Sequence, residues 1–158
     1  MTVLTRAPQN TNYLQPTKFL LSFPSIADTS FFCQKINLPG VNLPEVLRVT
    51  PTADLYTPGT RLTYNTMDIE FSINENLSSW LVIYNWMRDN STGSFRYSNV
   101  DAIVTILSNL NNPKLRVKYS NVFPTTLSDI EFDTRLSADT HLSASASFRF
   151  DFYDIEVI

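Results

Sequence analysis

Strict alternation of apolar and polar residues recurs along this chain, and it restricts the possible folds more than any other feature of the sequence. The clearest example sets Met67, Ile69, Phe71 and Ile73 against Thr66, Asp68, Glu70 and Ser72. Successive side chains of a β-strand point to opposite faces of the sheet. A period of two therefore predicts a strand with one buried face and one solvated face.

The same period predicts further strands over 17–23, 100–106, 115–119, 129–133 and 142–152, and a further strand is predicted over about 30–38. In the last of these the predicted inward residues are Leu142, Ala144, Ala146, Phe148, Phe150 and Phe152, and the outward ones are Ser143, Ser145, Ser147, Arg149 and Asp151. Turn residues separate the segments, as at 111–113 and 123–125. The predicted fold class is mainly β, an antiparallel β-barrel or sandwich of about six to eight strands with one flanking α-helix.

The helix is predicted where the apolar period lengthens after Ile73. Apolar residues there recur at helical spacing, at Leu77, Trp80, Leu81, Tyr84 and Met87. We expect a helix over about 75–89, with Asn74 or Asn76 as its N-cap. Val82, Ile83 and Trp86 add a second apolar stripe. Such a helix either inserts into the core of its own domain or packs against an adjacent subunit.

Residues 39–59 combine several prolines and glycines with apolar residues, which predicts a long loop or a loose hairpin. Excursions of this length from a compact domain usually bind something or are disordered, although a passive connector is the alternative. The predicted candidates for contact with another molecule are Pro39, Gly40, Val41, Leu43, Leu47, Leu55 and Tyr56, together with Ile83 and Trp86 of the helix.

The charge balance excludes a protein that grips nucleic acid. The formal net charge is −3, so the chain lacks the basic surface that holds phosphates. Residues 1–16 are polar and predict a flexible arm, and 17–158 are predicted to form one domain. The longest apolar run, Trp80 to Tyr84, is far too short to span a bilayer, so no membrane anchor is predicted. A single cysteine, Cys33, indicates folding in a reducing cytoplasm.

The sequence offers little for catalysis. The single histidine, His141, has Ser137, Asp139 and Ser143 nearby, but no nucleophile elbow or oxyanion loop accompanies it. Asp129, Glu131 and Asp133 alternate as the wet face of a strand does. With three glycines in all, the chain has no phosphate-binding glycine-rich loop. We therefore predict no enzymatic activity, no metal and no cofactor.

The order of these features resembles the tail tube proteins of contractile-tailed bacteriophages, whose fold is also that of type VI secretion tubes. The resemblance begins with Pro16–Phe23, Phe32–Lys35 and Leu38–Gly40, and it continues with the strand that leads through Asn74-Glu75-Asn76 into the helix bearing Trp86. Its most specific parts are Val122–Asp133 and Phe148–Tyr153. The likeness extends over residues 16–154.

This resemblance implies a structural virion protein, a subunit of the tail tube. Six copies would close into a ring by joining their sheets, and stacked rings would form the conduit for DNA inside a contractile sheath. The resemblance also implies that the loop at 39–59 contacts the neighbouring subunit and the next ring. The implied partners are further copies of the chain, sheath and baseplate proteins, and genomic DNA that passes without specific binding. The implied location is the virion tail, assembled in the host cytoplasm. An acidic, smooth wall repels the DNA backbone. The residues predicted to face the lumen are Ser143, Ser145, Ser147, Asp129 and Glu131.

Three other functions stay open from the sequence. The chain could be a tube initiator or another baseplate ring protein, or the tube protein of a type VI secretion system. A monomeric β-barrel that binds a small ligand among its aromatic residues is the alternative from another class.

Overall fold

The computed structural model describes residues 13–25, 33–93, 100–135 and 141–158. Within these ranges the chain forms one helix and eleven strands. The elements are β1 (Phe19–Ser22), β2 (Cys33–Ile36), β3 (Val41–Asn42), β4 (Glu45–Val49), β5 (Asp54–Pro58), β6 (Thr63–Tyr64), β7 (Met67–Ser72), α1 (Ser78–Ser91), β8 (Val100–Leu107), β9 (Pro113–Leu127), β10 (Ser143–Arg149) and β11 (Phe152–Val157).

Two antiparallel sheets share the strand β9. Sheet A has the order β1-β8-β9-β11, and sheet B has the order β2-β7-β10-β9. The first half of β9 pairs with β8 and β11, and the second half pairs with β10. Between the halves Asn121 adopts a positive φ of 55°. This residue bends the strand, so the two sheets fold over each other and enclose the core.

The core confirms the predicted inward faces of most strands. Met67, Ile69 and Phe71 of β7 are buried, as are alternate residues of β1, β8, β9 and β10. Trp86 of α1 is 1% exposed and packs between Phe23 and Phe148, with ring centroids 6.2 and 5.8 Å away. The predicted mainly β fold with one helix is therefore confirmed.

The helix begins three residues later than predicted, at Ser78, and the predicted N-cap is wrong. Leu77 occupies the cap position with a positive φ of 54° and makes no side-chain cap. Asn74 instead donates from its amide to the Ser78 hydroxyl and accepts a bond from the Ser79 hydroxyl, at 2.5 and 3.5 Å. Asn74 thus stabilises the first turn of α1 by hydrogen bonds to side-chain hydroxyls, whereas an N-cap residue would bind backbone N–H groups.

The predicted last strand, 142–152, is two strands, and the inward prediction for Phe152 is wrong. The chain leaves sheet B after Arg149 and enters sheet A at Phe152. At this corner Asp151 donates its N–H to the carbonyl of Ser120 at 3.0 Å. The corner shifts the alternation by one residue, so Tyr153 faces inward beside Tyr119 and Phe152 is 47% exposed.

The predicted break at 123–125 and the strand at 129–133 are also wrong. Strand β9 continues through Pro124 to Leu127, because the proline lies where the ladder to β10 shifts register. Residues 129–133 form no strand. Alternation along β9 would place Asp129 on the core side with Leu127, and burying a carboxylate there is costly.

Two predictions fall partly outside the described residues. These are the predicted flexible segment at the N-terminus, of which residues 1–12 are not described, and the second predicted strand, of which residues 30–32 are not described. The predicted turn at 111–113 is confirmed, and Asn111 takes a positive φ of 62° there. Across the described ranges, α1 is neither long nor apolar enough to cross a bilayer.

Replacing Trp86 by alanine tests the packing of the helix. We expect Trp86→Ala to lower the free energy of unfolding by about 3–5 kcal/mol, because it leaves a cavity among Phe23 and Phe148. Urea unfolding measures this loss. Leu81→Ala is the control, since Leu81 lies on the same helix and is 42% exposed. Equal stabilities of the two variants would contradict the helix placement.

Candidate assembly surfaces

Residues 40–65 form one long two-stranded hairpin, which we call the arm. Its lower part is the ladder β3–β6, in which Val41 pairs with Tyr64. Its upper part is the ladder β4–β5, from Glu45 opposite Pro58 to Val49 opposite Asp54. At about 3.3 Å per residue, ten residues from base to tip extend roughly 30 Å. The hairpin alternative for residues 39–59 is therefore the correct one.

The arm is closed at its tip and at its waist by backbone hydrogen bonds. Thr50 donates its N–H to the carbonyl of Ala53 at 3.1 Å and closes the tip. Gly59 donates its N–H to the carbonyl of Pro44 at 2.7 Å and closes the waist. A Cβ on Gly59 would lie 2.5 Å from that carbonyl oxygen, so this position requires glycine.

The base of the arm is anchored to the core by aromatic rings. Tyr64 packs on Phe150 and Tyr153, with centroids 5.6 and 5.3 Å away. The Tyr153 hydroxyl donates to the carbonyl of Pro39 at 3.2 Å, and Arg149 donates to the carbonyl of Tyr64 at 3.2 Å. Pro39 is buried there, so this predicted contact residue is part of the base instead.

Both faces of the upper arm are apolar and exposed. Leu47 lies opposite Tyr56 on one face, and Val46 and Leu55 lie on the other. The strands β4 and β5 pack mainly on each other. Large apolar residues that the arm exposes are Val41, Leu43, Val46, Leu47, Val49, Leu55, Tyr56 and Leu62. Contiguous exposed apolar surface of this kind marks a site of association.

The structure thus supports the exposure of Val41, Leu43, Leu47, Leu55 and Tyr56, and it places Gly40 on the surface at the arm base. Val46, Val49 and Leu62 are not among the contact residues predicted from the sequence. Val46 and Val49 nevertheless lie in a mostly apolar run, 46–49.

Ile83 and Trp86 were predicted as contact residues, and the structure corrects this. They are 4% and 1% exposed and lie in the core of their own chain. Burial within the chain leaves them no surface for another subunit. The helix instead exposes Leu81 and Tyr84, and Tyr84 stacks on Trp80 with centroids 5.3 Å apart.

The outward side of sheet B carries hydroxyl and carboxylate groups, and we call it the serine face. It consists of Ser143, Ser145 and Ser147 of β10 with Asp68 and Glu70 of β7. Ser147 donates to Asp68 at 2.6 Å, and Ser143 donates to Glu70 at 3.4 Å. The hydroxyls hold the carboxylates close to the sheet. Lys35, opposite Glu70, and Arg149 of β10 lie on the same side, so this face is polar and carries charges of both signs.

Asp129 and Glu131, predicted beside these serines, are exposed but lie in the irregular segment after β9. Asp133 lies there too.

Residues considered for catalysis are not brought together. His141 is exposed, and the Ser143 hydroxyl binds Glu70 rather than the imidazole. Ser137 and Asp139 lie outside the described residues. Burial raises the pKa of the Cys33 thiol to about 11, which disfavours the reactive thiolate. No group of potential metal ligands occurs within the described ranges.

Comparisons with known proteins identify the class of fold. No protein-family model matches the chain. The chain is 26% identical to the tail tube terminator protein of Enterobacteria phage T4, over 92% of this chain and 90% of that protein. A chain of the anti-feeding prophage tube-terminating cap superposes with a TM-score of 0.74 at 12% identity, over 100% of both chains. Hcp1 from Flavobacterium johnsoniae superposes with a TM-score of 0.53 at 13% identity, over 87% of this chain and 94% of that one.

The fold is therefore that of tube-type proteins of contractile injection systems, as the sequence resemblance indicated. Among these proteins, the chain is similar to tail tube terminator and cap proteins, which are structural components of their particles. This likeness supports the prediction of a structural protein without enzymatic activity.

Substitution of Gly59 tests how the arm is held. We expect Gly59→Ala to open the waist of the arm, because the new Cβ meets the Pro44 carbonyl. Overpacking costs about 1–2 kcal/mol in such a case, which raises the opened population about 5–30-fold. Cleavage by trypsin at Arg48 measures opening, and Gly40→Ala is the control, because its Cβ meets only the end of the Asn65 side chain. Unchanged cleavage in Gly59→Ala would show that the waist is not closed as described.

Proposed function

We propose that six copies of this chain form a ring that terminates the tail tube of a contractile particle. The sequence likeness to a tube terminator and the full-length superposition on a tube-terminating cap support this position. The sixfold symmetry is supported by a superposition with a TM-score of 0.70 on a chain of the anti-feeding prophage baseplate, which is six-fold symmetrised.

The observation that carries the proposal is the arm. A monomer that exposes apolar residues on both faces of a projecting hairpin aggregates unless partners cover them. Neighbouring subunits provide such partners. In the ring one face of the arm packs on the adjacent subunit, and the other face packs on the tube end. Because the base of the arm is packed on the core, the core determines where the arm contacts its partner.

A repeating subunit of the tube, or a tube initiator at the baseplate, is the second candidate. A chain of the PVC sheath–tube complex in the extended state superposes with a TM-score of 0.72 at 12% identity, over 94% of both chains. This value is close to that of the cap, so the fold alone favours neither position. The sequence relative favours the terminator. A terminator adds one ring to a tube, whereas a repeating subunit stacks without limit.

The serine face is proposed to line the lumen. Six copies would surround the passage with hydroxyls and with carboxylates balanced by Lys35 and Arg149, a wall without the excess of basic groups that holds the DNA backbone, so genomic DNA would pass without binding. The outer surface would meet sheath proteins, and baseplate proteins are further partners if the ring lies at that end. The proposed location is the virion tail, assembled in the host cytoplasm.

A monomeric ligand-binding barrel is less well supported. Among the described residues, a cavity lined by residues 14–19, β2 and the following turn, β8 and β9 has a volume of about 120 Å³. Pockets for drug-sized ligands are several times larger, roughly 300–1,000 Å³.

Electron microscopy of purified rings mixed with tubes tests the terminator proposal. We expect one ring at one end of each tube and no long stacks of the chain alone. The double variant Leu47→Asp, Tyr56→Asp should not bind tube ends. Binding would cover this face of the arm, and the two new carboxylates would lose their hydration there. Leu110→Asp is the control, since Leu110 is 82% exposed in the turn between β8 and β9. Long stacks of the unaltered chain would assign it to the repeating tube instead.

Added positive charge tests which face lines the lumen. We expect rings with Ser143→Lys and Ser145→Lys to bind double-stranded DNA at least about tenfold more tightly at low salt than unaltered rings. Fluorescence anisotropy measures the binding. Asn109→Lys with Asn112→Lys adds the same charge at the exposed turn between β8 and β9. If both pairs bind DNA equally, the serine face is not the lumen wall.

A further inference from the structure

A cavity lies where the series of paired strands is left open. The strands pair in the order β1-β8-β9-β10-β7-β2, and within the described ranges the two end strands, β1 and β2, form no ladder with each other. The cavity is lined by residues of both end strands, has a volume of about 120 Å³ and opens to the surface. Its wall includes Phe19, Ile36, Val104, Ile106 and Tyr119, and the exposed Leu14 and Leu38 lie at its mouth.

The wall of the cavity is mostly apolar, and two of its polar side chains are bonded elsewhere. Lys18 donates from Nζ to the side chain of Asn111 at 2.5 Å. Asn37 donates to the carbonyl of Thr66 at 3.2 Å and accepts the N–H of Asp68 at 2.6 Å. Among the described residues that line the cavity, Lys18 alone is charged. A neutral ligand therefore suits the cavity better than an ion does.

The hydroxyl of Tyr119 is buried and bonds to none of the described residues. Tyr119 is 1% exposed, the lowest value in the lining, and its ring packs on Phe150 and Tyr153 with centroids 5.0 and 5.5 Å away. Burial raises the pKa of Tyr119, so the hydroxyl keeps its proton and can donate. Buried hydroxyls are normally paired, and an unpaired one destabilises the fold. This hydroxyl lacks the partner that a ligand in the cavity would supply.

Volume and polarity together limit what can occupy the cavity. A buried water is held by roughly two to four polar partners, and the Tyr119 hydroxyl is only one. An apolar cavity of roughly 150 Å³ holds a molecule of benzene. A space of about 120 Å³ with an apolar wall therefore fits a single ring or a short branched chain. The occupant must also bring one hydrogen-bonding atom for Tyr119.

We propose that this cavity binds a small neutral organic molecule of about the size of phenol, whose oxygen pairs with the Tyr119 hydroxyl. The site is formed within one chain, so binding requires neither a ring nor a second copy. A ligand there contacts Phe19 of β1 and Ile36 of β2, the two strands that do not pair. Binding therefore joins the two ends of the strand series and stabilises the folded chain.

Titration of the full chain with phenol and with toluene tests the proposal, because the two probes share a ring and differ by one hydroxyl. Methyl NMR signals of Ile36, Val104 and Ile106 measure binding. We expect both probes to shift these signals saturably. In Tyr119→Phe the preference for phenol over toluene should fall about fivefold, because the hydrogen bond is lost. Without a probe, Tyr119→Phe should melt at the same temperature or higher, because an unpaired buried hydroxyl has been removed.

A second variant fills the cavity. Ile36→Phe should weaken binding of both probes about tenfold or more, because its larger side chain takes up the space for the ring. Ile103→Phe is the matched control, since Ile103 alternates with the buried Ala102 and Val104 and lies on the outer side of sheet A. This control should leave both affinities unchanged.

Three results would overturn the inference. These are the absence of saturable shifts with phenol, an unchanged preference for phenol in Tyr119→Phe, and unchanged binding in Ile36→Phe. None of them affects the proposed ring, since the site lies within one chain. Sedimentation of the unaltered chain without probes tests the ring separately.

Discussion

The pairing of β9 with strands of both sheets is the interaction on which the rest of the structure depends. This 15-residue strand pairs with β8 as far as Val122, with β11 as far as Ser120, and with β10 from Phe123 to Leu127. Asn121 is held in the bend by Asp101, which accepts its N–H at 3.3 Å, and by Asp151, which accepts its side-chain amide at 3.0 Å. Because one strand belongs to both sheets, their inner faces enclose a common core that includes Ile83 and Trp86 of α1, and β2 and the end of β9 become the edges of sheet B.

Rigid anchorage explains how a projecting arm can serve assembly. The arm has little packing of its own above the waist, but its base is tied to Phe150 and Tyr153. Those rings continue through Tyr119 into the core, with Tyr119 and Phe150 centroids 5.0 Å apart. The position of the arm is therefore set by the same packing that stabilises the sheets. A preorganised arm loses less conformational entropy on association than a free loop does.

Strands with one buried face were predictable from the sequence because their alternation reflects local burial. Met67–Ser72 and Val100–Leu107 were identified in this way, and the helix was identified by its change of period. The predictions are wrong where the hydrogen-bonding pattern of a strand departs from its apolar–polar alternation. The corner at Asp151 shifts the faces between Phe150 and Phe152. At the end of β9 the Ser128 hydroxyl, in place of its backbone carbonyl, accepts the N–H of Ser145 at 2.9 Å. Neither of these two changes can be recognised from the spacing of apolar residues in the sequence. Trp86 and Tyr56 are both large apolar residues, and only the packing shows that one is core and the other surface.

We propose that this chain is a structural component that forms a ring, and the mass of the particle in solution tests this most directly. Sedimentation equilibrium over a wide concentration range should give a species of six chain masses, each 18.0 kDa. A single-chain mass at every concentration, with the arm still exposed, would contradict the claim.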